Sequence, residues 1–254
     1  ESRGLGDVYK RQIIYICLMW GYGEKFLPND SVQDGVWTQG ELAKEIGLQN
    51  GDKILTIDGE EIRKFSEITV GFINGNNFTI ERNGEIIDKK LPINFISKLI
   101  DRKSNAEGPI VTPRYPFVIG AIQQDSLNVN SDLKAKDFIT AINGTPIKYY
   151  DQAKEILNNY KGRNISLTIK RDNKIKEVPV KVSDYGYLGV QFTAIPFKDL
   201  EKLGYYKLSK IKYSFSEAVP AGLNKSWTTL TNYVKQLKKI FNPKTGAYKG
   251  LGGF

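Results

Sequence analysis

The 254-residue chain has no histidine, one cysteine and one methionine. Lacking histidine, it has no imidazole zinc ligand, no Ser-His-Asp or Cys-His nucleophile, and no side chain that ordinarily titrates between pH 5 and 8. The single Cys17 excludes an intramolecular disulfide and any CxxC metal or redox motif. Its apolar surroundings predict a buried, inert thiol. The longest apolar run, Ile13 to Trp20, spans eight residues, against the roughly 20 that cross a bilayer. Gly250-Leu251-Gly252-Gly253 lacks the Lys-Ser/Thr of a phosphate loop, and Glu60-Glu61 and Asp199/Glu201 read as solvated surface. No catalytic constellation is present.

Hydrophobic residues at 40% support two modest cores, and 26% charged with 11% aromatic argues against disorder. The net charge of +9 is concentrated: from Ile195 to Phe254 there are 11 Lys and three Asp/Glu, a balance of +8 that leaves +1 elsewhere. That segment therefore suits an anionic surface. No RNP-like aromatic pattern, finger or basic recognition helix accompanies it, so nucleic acid is not an expected partner.

The main signal is internal repetition. Gly47-Leu48-Gln49-Asn50-Gly51-Asp52-Lys53-Ile54-Leu55-Thr56-Ile57-Asp58-Gly59 recurs 85 positions on as Asp132-Leu133-Lys134-Ala135-Lys136-Asp137-Phe138-Ile139-Thr140-Ala141-Ile142-Asn143-Gly144. In each copy a short helix ends at Leu, the chain turns at Asp, an alternating strand follows, and Asp-Gly or Asn-Gly makes a tight turn. The first copy predicts helices over 42–46 and 65–72, a strand over 53–57 and a hairpin over 77–91. The second predicts strands over 117–122 and 138–142, a helix over 151–160 and a hairpin over 165–182. Thr79-Ile80-Glu81-Arg82 matches Thr168-Ile169-Lys170-Arg171, 89 positions on, so the second copy has about four extra residues. Pro109, Pro113 and Pro116 punctuate the junction. This grammar resembles two tandem PDZ domains of the bacterial, circularly permuted kind, an α+β fold, over 26–116 and 117–194.

The flanks differ. Residues 1–12 resemble a translated sequencing-adapter remnant and are set aside as a non-native leader. Residues 13–25 then read either as a buried strand or helix start, or as the end of a truncated membrane helix with Trp20 and Tyr22 in an interfacial belt. Residues 195–254 form a linker and an amphipathic helix over 216–241, with Ser216 as its expected N-cap and Pro220 in or near its first turn. Val219, Leu223, Trp227, Leu230, Val234, Leu237 and Phe241 share one helical face, flanked by Lys225, Lys235, Lys238 and Lys239. Two readings stand: the stripe packs on its own domain, or it lies on a membrane surface.

A PDZ fold binds by strand addition at a sheet edge. In the second copy Leu188-Gly189-Val190-Gln191 resembles the apolar-Gly-apolar loop of the class. Gly189 admits the ligand backbone, Leu188 and Val190 line the pocket, and Ala153 and Ile156 on the helix complete it. The alternative is that Gly189 only bends strand into linker. The first copy has Ile110-Val111-Thr112-Pro113 at the corresponding place, with no glycine after Gly108 and a donor missing at Pro113. Its groove is expected to be occluded or blind to a carboxylate.

Taken with Trp20-Gly21-Tyr22-Gly23-Glu24, Arg114-Tyr115-Pro116-Phe117 running into Val118-Ile119-Gly120-Ala121-Ile122, Phe215-Ser216-Glu217-Ala218-Val219 and the closing Leu251-Gly252-Gly253-Phe254, the order resembles the middle of a site-2 protease. The similarity is to the regulator-of-sigma-E (RseP) type of intramembrane zinc metalloprotease, from Ile13 to Phe254. The resemblance implies that HExxH and a later zinc-binding Asp lie outside this sequence, so zinc is a cofactor of the longer protein and no catalytic residue carries over. It also implies that the PDZ pair faces the periplasm at the inner membrane and restricts access to substrates of the anti-sigma-factor type, binding an extended peptide or C-terminus. Two rivals fit the repeats: the PDZ pair of an HtrA-like periplasmic serine protease, and a non-enzymatic PDZ scaffold tethered to a membrane.

Overall fold

The computed structural model describes residues 3–100 and 108–247, with side chains from Ile13 onward. The adapter-like side chains and the Leu251-Gly252-Gly253-Phe254 motif lie outside the described residues. The chain divides into one unit of Glu1–Thr112 with Gly204–Phe254 and another of Pro113–Leu203.

In the first unit, α1 (Arg3–Tyr22) leads to β1 (Glu24–Phe26), β2 (Val36–Thr38), α2 (Gly40–Glu45), β3 (Lys53–Ile57), β4 (Glu60–Glu61), α3 (Glu67–Asn74), β5 (Asn77–Arg82), β6 (Glu85–Lys90), α4 (Phe95–Ile100) and β7 (Val111–Pro113). The sheet runs β4-β3-β5-β6, and β2 pairs separately with β7. The second unit contains β8 (Phe117–Ile122), β9 (Phe138–Ile142), β10 (Thr145–Pro146), α5 (Tyr150–Asn158), β11 (Asn164–Arg171), β12 (Lys174–Lys181), β13 (Val190–Phe192) and α6 (Phe197–Lys202). Its sheet runs β12-β11-β9-β8-β13, with β10 on β9. The chain then returns to the first unit as β14 (Ser209–Ile211), antiparallel to β1, and α7 (Phe215–Ile240).

The duplication is visible in the hydrogen bonds. Val36 N–H donates to Asp52 O (2.9 Å) and Gly51 N–H to Val36 O (2.8 Å); in the second unit Ile119 N–H donates to Asp137 O (2.9 Å) and Lys136 N–H to Ile119 O (2.7 Å). Asp58-Gly59, Asn83-Gly84, Asn143-Gly144 and Asp172-Asn173 all turn with positive φ at both positions, as the twist of tight hairpins requires. Each copy has its own core: Ile54, Ile68, Phe72, Phe78 and Ile80 in the first, Ile119, Ile142, Leu167, Ile169 and Leu188 in the second. The α+β architecture of two PDZ-like copies followed by a helix is thus present.

Three local expectations are corrected. Cys17 is exposed on α1, because that helix buries Met19 and leaves Ile13, Ile14, Leu18 and Trp20 exposed. The N-cap of α7 is Ser214, where Ser214 Oγ accepts from Glu217 N–H (3.4 Å) and Glu217 Oε2 accepts from Ser214 N–H (2.8 Å), a reciprocal capping box. Pro220 therefore stands in the second turn. Among the described residues no helix is long and apolar enough to cross a membrane.

Candidate functional site

Strand β13 forms the outer edge of the second unit's sheet. It pairs antiparallel with β8, Val190 against Ile122 and Gln191 against Ala121, with a register shift before Phe192. Period-two alternation leaves Gln191 exposed and turns Val190 and Phe192 inward, half-buried against the core. Helix α5 packs on the same core: Ala153 is buried in it and Ile156 half-buried upon it, as is Tyr160 just beyond the helix. Leu188 is also a core residue, 3% exposed. The predicted apolar residues therefore belong to one core cluster, Leu188 and Ala153 buried and Val190 and Ile156 half-buried against it, while Gln191 is exposed.

The N-terminus of α5 is firmly held. Asp151, whose carboxylate is 2% exposed, takes Arg114 fork to fork, Nε–Oδ1 3.0 Å and Nη2–Oδ2 2.6 Å. The Arg114 guanidinium lies 4.5 Å from the Tyr149 ring centroid, and Tyr150 N–H donates to Tyr115 O (2.8 Å). Here sequence reasoning missed two lining residues: Tyr150, the first of α5, stacks on Phe192 of β13 at 4.3 Å and 20°. Tyr115 approaches the same Phe192 ring at 6.3 Å. This aromatic contact joins helix to strand at the Phe192 end. Burial pushes the Tyr115 and Tyr150 phenols upward, which keeps both neutral at physiological pH. Nothing in residue spacing marks these rings as neighbours.

In the first unit, a cavity of about 360 Å³ lies between α3 (Thr69, Phe72), Leu99 of α4, and Gly108-Pro109-Ile110. By element order α3 corresponds to α5, and Gly108, at φ +81°, takes the left-handed backbone of Gly189 at φ +67°.

The stripe of α7 does not pack on its own unit. Leu223 (47%), Trp227 (65%), Leu230 (54%), Val234 (44%), Leu237 (51%) and Phe241 (65%) are all exposed. An adjoining face of small residues is the packed one: Ala218 and Gly222 are buried, Gly222 facing Ile16 of α1. Trp20 meets Phe215 edge-on at 5.5 Å. Lys235 and Lys238 flank the stripe in solvent. Lys239 departs from the expected surface set: it is turned inward, and its Nζ donates to Gly75 O (2.6 Å) after α3. Burial lowers the Lys239 pKa, with Asp58 pulling the other way.

Among the described residues no group of three or more His, Cys, Asp or Glu could hold a metal ion.

Parts of the chain are similar to known proteins. Residues 102–182 match the family described as "PDZ domain". A curated protein of Treponema pallidum (strain Nichols), described as "Putative zinc metalloprotease", is 27% identical over 138 residues, covering 52% of this chain and 29% of that protein. The chain thus spans under a third of that relative. Among solved structures, the PDZ domain of the SdrC-like protein Lmo2051 from Listeria monocytogenes is 18% identical, covering 36% of this chain and 94% of that one at a TM-score of 0.28. The PDZ domain of the SdrC-like protein Lin2157 from Listeria innocua is 21% identical, covering 32% and 97% at 0.28. The chain carries a PDZ domain and is similar to a protein described as a putative zinc metalloprotease.

Proposed function

We propose that this chain is the substrate-gating, peptide-binding PDZ pair of a membrane zinc metalloprotease that performs regulated intramembrane proteolysis. The observation that carries the reading is β13, an edge strand whose Val190 and Phe192 pack on the same core as Ala153 and Ile156 of α5. Such an edge offers main-chain donors and acceptors to an extended peptide, while Val190, Ile156 and the core beneath them select its side chain. The zinc and its ligands belong to the longer protein. The PDZ pair sits on the periplasmic side of a bacterial inner membrane, over 26–116 and 117–194, and restricts access of anti-sigma-factor-type substrates.

Helix α7 holds the pair against the membrane surface. An exposed stripe of Trp, Leu, Val and Phe beside Lys235 and Lys238 suits an interfacial helix, each lysine adding about 1 kcal/mol near anionic headgroups.

The test uses the complete protease. Removing Pro113–Leu203 is expected to allow cleavage of substrates that still carry their bulky outer domain. Unchanged selectivity would remove the gating role.

A further inference from the structure

Strands β6 and β12 are the same strand in the two copies: each closes a hairpin and ends its sheet as an edge. Ile86 and Ile175 hold the same place, 89 positions apart, and are 71% and 74% exposed. The two edges are not finished alike.

The groups that an edge presents follow from the ladder behind it. Leu91 N–H donates to Asn76 O (2.7 Å), which makes that pair a hydrogen-bonded one. With the register running from Asn77↔Lys90 to Arg82↔Glu85, the bonds into the sheet then fall to Glu85, Ile87 and Lys89. Ile86, Asp88 and Lys90 aim their N–H and C=O groups outward, and among the described residues nothing bonds to them. In β12, Val182 N–H donates to Arg163 O (2.9 Å), and the register from Asn164↔Lys181 to Arg171↔Lys174 leaves Ile175, Glu177, Pro179 and Lys181 facing out. Pro179 has no N–H to offer. Lys181 is covered by the buried Asn128, whose Oδ1 accepts from its N–H (2.7 Å) and whose Nδ2 donates to its C=O (2.8 Å) and to Leu188 O (2.8 Å). In β6 the place of Pro179 is held by Lys90, which keeps its N–H. The second copy's edge is guarded and the first copy's is open, and an open edge is a template for another strand.

The residues of β6 select that strand. Glu85, Ile87 and Lys89 lie on its core face, with Ile87 half-buried on the core. When a second β6 lies antiparallel with both cores on the same side, opposite residues share a face, and outward-bonding residues meet each other. Ile86 of one copy then lies opposite Asp88 of the other, Ile87 meets Ile87 on the two-fold axis, and Glu85 lies opposite Lys89 twice. These Glu-Lys pairs are the non-hydrogen-bonded kind, in which side chains approach most closely. Shifting the register by two residues sets Asp88 against Asp88 in one direction and Glu85 against Ile87 in the other.

We propose that β6 is a self-pairing edge, through which two copies of this chain dimerise antiparallel about Ile87 into one continuous sheet. The inference does not depend on the peptide-binding reading above.

The test is sedimentation equilibrium of the full chain, with dodecyl maltoside covering the stripe of α7. Wild type is expected to dimerise. Glu85→Lys and Lys89→Glu should each raise the dimer Kd about tenfold or more, since each sets two like-charged pairs across the seam. An equimolar mixture of the two variants should dimerise as wild type does, because every such pair is then opposite in charge again. Loss of folding cannot produce that rescue. The Ile86 and Asp88 amides should gain hydrogen-exchange protection with rising concentration, while those of Ile87 and Lys89, already bonded to β5, change little. Asp88→Pro, which removes an outward N–H and leaves the ladder to β5, should abolish the dimer. Thermal melting checks that this variant folds, and the charge variants carry the test if it does not. A chain that stays monomeric at about 1 mM overturns the self-pairing and leaves the edge to a strand of another protein. A dimer indifferent to the charge variants overturns it too, since association then runs through another face. A mixture of the charge variants that stays monomeric overturns the register about Ile87.

Discussion

Arg171 closes on Asp137 fork to fork, Nε to Oδ1 at 2.6 Å and Nη2 to Oδ2 at 2.7 Å, and Arg82 closes on Asp52 in the same way at 2.7 Å for both bonds. Both carboxylates are fully buried and both also accept a backbone N–H, from Lys134 and from Gln49. Asp137 is the largest influence holding the Arg171 pKa above its usual range, as Asp52 is for Arg82. The duplicated Gly-Asp and Lys-Asp turns are therefore locks, each tying a turn to the end of a hairpin strand.

Removing one partner leaves a buried charge without its counterion. Arg171→Met is expected to cost about 3–5 kcal/mol, read as lost hydrogen-exchange protection of β9 and β11. Arg82→Met should do the same to β3 and β5. A loss below about 1 kcal/mol would show the locks to be ornamental surface pairs.

At Gly189 two costs combine. An alanine there keeps a φ of +67°, costing about 1–2 kcal/mol, and its Cβ would lie 2.3 Å from Ser126 Oγ and 3.1 Å from Ser126 Cα. Gly189→Ala is expected to lower the melting temperature of the second unit and weaken peptide binding. Ser126→Gly in the same chain should restore part of the stability, since it relieves the side-chain contacts and leaves the φ strain. Full restoration would mean the backbone tolerates alanine at that angle.

Much of this fold was legible because its signals are local. Alternation in 53–57 and 138–142, and Asx-Gly or Asx-Asn at four hairpins, depend on the residue and its immediate neighbours, and the strands over 53–57, 117–122 and 138–142 begin and end where the spacing predicts. What sequence could not yield depends on distant partners. Asn128 reads as an ordinary loop residue until Lys181 and Leu188 arrive beside it. Tyr150 and Phe192 stack across 42 positions of chain. The stripe of α7 was legible as a stripe, but not which face packs, because Ala218 and Gly222 signal close approach only once α1 is seen against them.

That orientation of α7 makes a sharp contrast of variants. A Cβ at Gly222 would meet Ile16 Cγ1 at 2.8 Å, so Gly222→Val should push α1 and α7 apart and cost about 1–3 kcal/mol of the first unit's stability. Leu237→Ala, on the exposed stripe, should change stability by no more than about 0.5 kcal/mol. It should also reduce binding to phosphatidylglycerol vesicles. If Leu237→Ala were the more damaging in solution, the stripe would be packed rather than free.

Glu24 ties β1 to α7 and to the turn before α3. Its carboxylate accepts from Lys64 (2.7 Å) and Lys225 (3.0 Å). Burial alone would push the Glu24 carboxyl up, but the two lysines outweigh it and hold the carboxyl below the usual glutamate range. A folded-state pKa below the unfolded one contributes stability that is fully present above the unfolded value and lost as pH falls through the folded value. Glu24→Gln should therefore destabilise the first unit by about 0.5–1 kcal/mol at pH 7, the scale of partly exposed pairs. The gap between wild type and variant should close on acidification, once the wild-type carboxyl takes up its proton. Urea unfolding of both proteins across that range measures the gap directly. A gap that stays constant with pH would mean the ion pairs add nothing and that the glutamine fails only through packing.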